Sequence, residues 1–129
     1  MTDKLRILII EDDPALLLMM VYLLTRADCD VLTAWSGEKG IQMAKEGKFD
    51  LITLDIDLPD IGGFEICRSL KQNPALSHLP IVFISGRILE EDRQRAFEVG
   101  AADYIEKPFD VSFFVQRILF HAKSEKSRL

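Results

Sequence analysis

The sequence predicts an α/β protein: a doubly wound, five-stranded parallel sheet with five helices. Two observations lead there. Short apolar runs rich in β-branched residues alternate with longer segments of helical period, and most apolar runs stop on a chemically active polar residue. Strands are expected near 5–10, 30–34, 50–55, 80–85 and 102–106, and helices near 14–26, 37–46, 63–72, 90–99 and 110–122. Five repeats of strand then helix imply a parallel sheet covered on both faces.

Each element has its local reason. The first strand, LRILII, is continuously apolar, as a doubly covered strand should be, and Asp13-Pro14 after it supplies an N-cap with proline at the first helical position. DVLTA is the most polar strand by position and is expected at an edge, with Ser36 capping the helix that follows and Gly47 ending it. DLITL and LPIVFI are again continuous apolar runs. Gly100 ends the fourth helix, ADYIE forms the fifth strand, and Asp110 caps the fifth helix. These elements make one domain over 1–122, leaving 123–129 as a polar tail or linker stump expected to fray.

Composition excludes several functions. A net charge of -5 over 129 residues lacks the basic field of a nucleic-acid surface, so no direct nucleic-acid role is expected. Cys29 and Cys67 are isolated, without metal-ligand spacing, and suit buried thiols of a reducing compartment. No signal peptide is apparent, and the longest apolar run, 15–24, is about half the ~20 residues that a membrane-spanning helix requires. A cytoplasmic protein that does not enter the membrane is expected.

The strand ends carry the chemistry. Glu11 and Asp12 follow the first strand, Asp55 the third, Ser85 the fourth, and Lys107 the fifth, just before Pro108. Ligands of such sheets bind outside the carboxyl ends of the strands where strand order reverses, and in the order 2-1-3-4-5 the first and third strands flank that point. Three carboxylates in one crevice repel one another, and a hard divalent cation, Mg²⁺, resolves the conflict. Asp55 then has the position of a nucleophile forming an acyl phosphate, with Ser85 and Lys107 placed to meet phosphoryl oxygens. Asp13 is assigned to capping alone. Asp57 and Arg87, two residues beyond Asp55 and Ser85, are expected to overhang the pocket, where they either pair across its mouth or stand solvated.

In ILIIEDD, LITLDIDLPDIGGFE, IVFISGR and ADYIEKPF, with their order and spacing, the chain resembles the receiver domains of two-component response regulators, whose sheet is flavodoxin-like. The resemblance implies that Asp55 is phosphorylated from a phosphohistidine of a sensor histidine kinase or histidine phosphotransfer protein. It implies Mg²⁺ held by the side chains of Asp12 and Asp55 and the backbone carbonyl of Asp57, with Glu11 acting through water. It also implies a switch in which Ser85 moves to the phosphoryl group and Tyr104 turns inward, and a cis Lys107-Pro108 bond. Gly62 stands where the family often has Asp, which should loosen that loop. Helix 4, strand 5 and helix 5 form the expected output surface for a downstream effector protein or domain or a homodimer, with Phe113 and Phe120 as surplus apolar residues. Helix 1, apolar nearly all round over 16–24, offers the phosphodonor a face or else lies deeply buried; His78 and His121 receive no catalytic role. Two further readings are a haloacid-dehalogenase-like phosphohydrolase, suggested by the Asp55-Ile-Asp57 pair, and a phosphate-independent interaction module. The order of the acids disfavours the first, and the full set of five polar residues disfavours the second.

Overall fold

A computed structural model describes residues 4–126. Its elements are β1 (Arg6–Ile10), α1 (Pro14–Arg26), β2 (Asp30–Ala34), α2 (Gly37–Glu46), β3 (Leu51–Leu54), α3 (Gly63–Gln72), β4 (Ile81–Ser85), α4 (Glu90–Glu98), β5 (Asp103–Glu106) and α5 (Val111–Lys126). All strand pairs are parallel and the sheet order is β2-β1-β3-β4-β5, as expected of the doubly wound fold.

The alternation of side chains along each strand splits the interior into two cores. Ile7, Ile9, Leu51, Val82, Ile84 and Ile105 face one side and pack on Met20 and Leu24 of α1 and Phe114 and Ile118 of α5. Leu8, Ile10, Ile52, Leu54 and Phe83 face the other and pack on Ala44 of α2, Phe64 and Ile66 of α3 and Ala96 of α4. Burying one such Leu, Ile or Phe contributes about 1.5–3 kcal/mol, so the central strands anchor the fold from both faces.

The helix starts follow local chemistry. Asp13 Oδ1 accepts from the amides of Ala15 and Leu16, Ser36 Oγ from Lys39, and Asp110 Oδ1 from Phe113. Gly100, just past α4, has φ of 107°, a left-handed conformation that glycine adopts without strain.

Two expectations need correction. The α5 helix does not stop at 122: it continues to Lys126, because Ser124 Oγ donates to the Phe120 carbonyl, Glu125 pairs with His78, and Lys126 Nζ reaches Asp50 at 3.6 Å. The expected tail over 123–129 therefore contributes its first four residues to the helix, and the rest lies outside the described residues. The α1 helix is not deeply buried, since Leu18 and Tyr22 are 71% and 60% exposed. At the start of α3, Gly62 provides no side-chain cap, while Asp60 of the same loop reaches the start of α2, its carboxylate accepting from the Gly37 and Glu38 amides at 2.8 and 2.9 Å.

Candidate functional site

Backbone hydrogen bonding continues one residue past several strands and pins the polar residues there. The Glu11 amide donates to Ala34 O, the Asp55 amide to Ile10 O, and the Lys107 amide to Ser85 O. Their side chains consequently leave from a fixed edge of the sheet. Gly63 closes the floor, since any Cβ there would collide with the Asp55 carbonyl oxygen.

The acids converge as the spacing predicted. Carboxylate oxygens of Glu11, Asp12 and Asp55 lie within 4.8 Å of one another, with Asp12 open to solvent and the other two buried. Glu11, 1% exposed, accepts from the Asp13 amide through Oε2, while its Oε1 has no hydrogen bond and faces Lys107 Nζ at 3.3 Å. The same ammonium stands 3.6 Å from Asp55 Oδ2. Burial pushes the Glu11 carboxyl up to about 7; the Asp55 charge adds to that rise, and the Asp13 amide and Lys107 oppose it. A buried oxygen met only by one ammonium at 3.3 Å, beside two further carboxylates, fits a hard divalent cation and offers no soft ligand.

Ser85 is fully buried at the end of β4, its Oγ accepting from the Arg87 amide at 3.1 Å. Tyr104 points inward and is 4% exposed, its hydroxyl donating to the Arg87 carbonyl at 2.8 Å. Asp57 and Arg87 meet across the mouth of the pocket: Nη2 and Nε of the guanidinium donate to the two carboxylate oxygens at 2.5 and 3.2 Å. The hydrogen bonds from Arg87 hold the Asp57 carboxyl below the usual carboxylate range. The Lys107-Pro108 bond is cis.

Other groups were not legible in the sequence. Asp92 supplies a second carboxylate to Arg87 at 3.4 Å, and the Arg93 guanidinium lies over the Tyr104 ring while donating to Glu106 at 2.6 Å. Asp103, buried at the start of β5, is paired by Arg117 and His121 of α5, so His121 anchors a helix away from the acid cluster. His78 pairs with Glu125, also away from it. Trp35 follows the strand residue that accepts from the Glu11 amide and is 73% exposed, while Phe113 and Phe120 are exposed on α5. No helix among the described residues is long and apolar enough to cross a membrane.

A doubly wound sheet whose strand ends gather three acids, a hydroxyl and a lysine can hold a divalent cation beside a phosphoryl group. The model of the response regulator receiver domain matches residues 7–119, and the chain belongs to that family. It is 36% identical over 104 residues to the alkaline phosphatase synthesis transcriptional regulatory protein PhoP of Bacillus subtilis, covering 81% of this chain and 42% of that protein. It is 32% identical over 122 residues to a probable cyclic di-GMP phosphodiesterase of Vibrio cholerae, covering 95% of this chain and 27% of that protein. The chain thus spans between about a quarter and a half of the length of these curated relatives. A putative response regulator from Chloroflexus aurantiacus superposes with a TM-score of 0.90 at 30% identity, covering 94% of this chain and 99% of that one. The receiver domain of a Pseudomonas aeruginosa sensor histidine kinase, solved with magnesium coordinated in its active-site cleft, gives 0.82 at 26%, covering 91% and 95%.

Proposed function

We propose that this domain accepts a phosphoryl group on Asp55 from the phosphohistidine of a sensor histidine kinase or histidine phosphotransfer protein, and acts as a signalling phosphoacceptor. The observation that carries the reading is the buried Glu11–Lys107–Asp55 cluster, in which one ammonium faces two carboxylates at 3.3 and 3.6 Å. In the transfer, an Asp55 oxygen forms a bond to phosphorus as the histidine N–P bond breaks, and the imidazole leaves with its electron pair. Lys107 and the Ser85 hydroxyl lie where they meet the phosphoryl oxygens. Asp12 and Asp55 side chains and the Asp57 carbonyl would hold Mg²⁺, with Glu11 acting through water. That ion supplies neutralisation of the acids and of the incoming phosphoryl group.

Leu18 and Tyr22 are exposed apolar residues of α1, the helix that starts just after the acids, and suit the donor's docking, while α4, β5 and α5 form the output face toward an effector or a second copy. Incubation with magnesium and a small acyl phosphate tests the reading by intact mass. Wild type should gain one phosphoryl group and Asp55→Asn none. Labelling of the variant, or steady turnover of a phosphate ester, would overturn it. Arg87 and Asp57 overhang the acyl phosphate, so Arg87→Ala should shorten the phospho-state lifetime by about threefold to tenfold by admitting water. An unchanged decay of the labelled mass would remove that role.

A further inference from the structure

Arg87 is the one residue of the β4–α4 loop whose bonding groups reach three separate parts of the site. Its amide donates to the Ser85 hydroxyl, its carbonyl accepts from the Tyr104 hydroxyl, and its guanidinium grips Asp57 with two nitrogens and Asp92 with the third. The loop has no regular structure, and its Gly86, Ile88 and Leu89 are exposed, so its neighbours do little to order it. The side-chain bridge from the loop after β3 to α4 does that instead. Across the Tyr104 ring, Arg93 closes the outer face at 5.1 Å and is itself held by Glu106.

From this geometry we infer that Arg87 is a positioning residue: its bridge between Asp57 and Asp92 holds the loop over Ser85 and keeps Tyr104 inward before any phosphoryl group arrives. Resting on the phosphoacceptor reading, this deepens it by naming how the site is joined to the output face. The resting domain is then biased toward the arrangement that phosphorylation would favour, and the bridge sets that bias. Losing an ion pair in solvent changes such a balance modestly, so the outward Tyr104 population should rise about fivefold when the bridge is cut.

The chain has two tyrosines, Tyr22 on the surface of α1 and Tyr104 in the pocket. Fluorotyrosine labelling and fluorine NMR of the unphosphorylated protein therefore give one reference signal and one reporter. Arg87→Ala and, from the other side of the pair, Asp57→Ala should each move the Tyr104 signal toward the Tyr22 position. Arg87→Lys, which keeps a cation between Asp57 and Asp92, should leave it nearer the wild-type position. A Tyr104 signal unmoved by both alanine variants overturns the inference, as does an Arg87→Lys signal shifted as far as that of Arg87→Ala. Phosphorylation by a small acyl phosphate is scored separately by mass. A domain that labels on Asp55 with Tyr104 unmoved keeps the function and loses the inference, whereas absent labelling removes the function whatever Tyr104 does.

Discussion

Replacing Lys107 by Ala is expected to slow phosphoryl transfer to Asp55 from a small acyl phosphate by about 10²–10³-fold while tightening magnesium binding. The two effects have opposite signs because the ammonium has two relations to the acids. It lies 3.3 Å from Glu11 and 3.6 Å from Asp55, so it competes by charge with any cation that those carboxylates attract. A phosphoryl group brings its own negative oxygens, and the same ammonium then stabilises the charge that accumulates in transfer. Removing it helps the metal and harms the chemistry. Initial rates by intact mass at saturating magnesium, set beside a magnesium titration, measure the two separately. A rate within threefold of wild type would show that Lys107 has only a structural part.

Stability of the metal-free protein should fall as pH rises, and Glu11→Gln should abolish much of that slope. Burial raises the Glu11 carboxyl from 4.5 to about 7 in the folded chain. Between those two values the folded state holds a proton that the unfolded state has released, so the stabilisation is complete below about 4.5 and is lost as pH climbs through about 7. The difference amounts to roughly 2–3 kcal/mol, at about 1.4 kcal/mol for each pH unit of that interval and with a discount for Lys107, which remains partly in water. Urea unfolding in a chelator at about pH 5 and about pH 8, compared between wild type and Glu11→Gln, gives the number directly. Magnesium added at the higher pH should restore stability to wild type, since it binds the ionised acids. Equal slopes in the two proteins would mean that Glu11 is not desolvated as the fold implies.

The acid cluster was legible in the sequence because parallel strands place their carboxyl ends on one edge, so a residue's position along the chain already fixed where it would stand. Glu11, Asp12, Asp55, Ser85 and Lys107 each follow an apolar run, and period alone located those runs. Asp57 and Arg87 could be anticipated to face each other for the same reason, each lying two residues beyond a strand-end residue. What period does not carry is pairing between loops. Asp60 caps α2 across 23 residues of sequence, and Arg93 and Glu106 meet across 13. Neither contact leaves a local signature, since an acid in a loop and an arginine on a helix are ordinary surface residues when taken alone. The end of α5 was misplaced because charged residues suggested fraying, whereas Glu125 and Lys126 find partners in distant parts of the chain. Helix α1 was ambiguous because an apolar circumference does not say which side the sheet will cover.

The charged pairs beside β5 have a second consequence. An outermost strand presents unsatisfied amides and carbonyls on which another molecule's strand can nucleate, and charge along that margin discourages it. Arg93 with Glu106 and Arg117 with Asp103 bracket β5, while Arg6 with Asp30 stands at the beginning of β2 on the opposite margin. Both rims of the sheet are thus guarded, and copies crowded together are kept from zipping into a continuous ribbon.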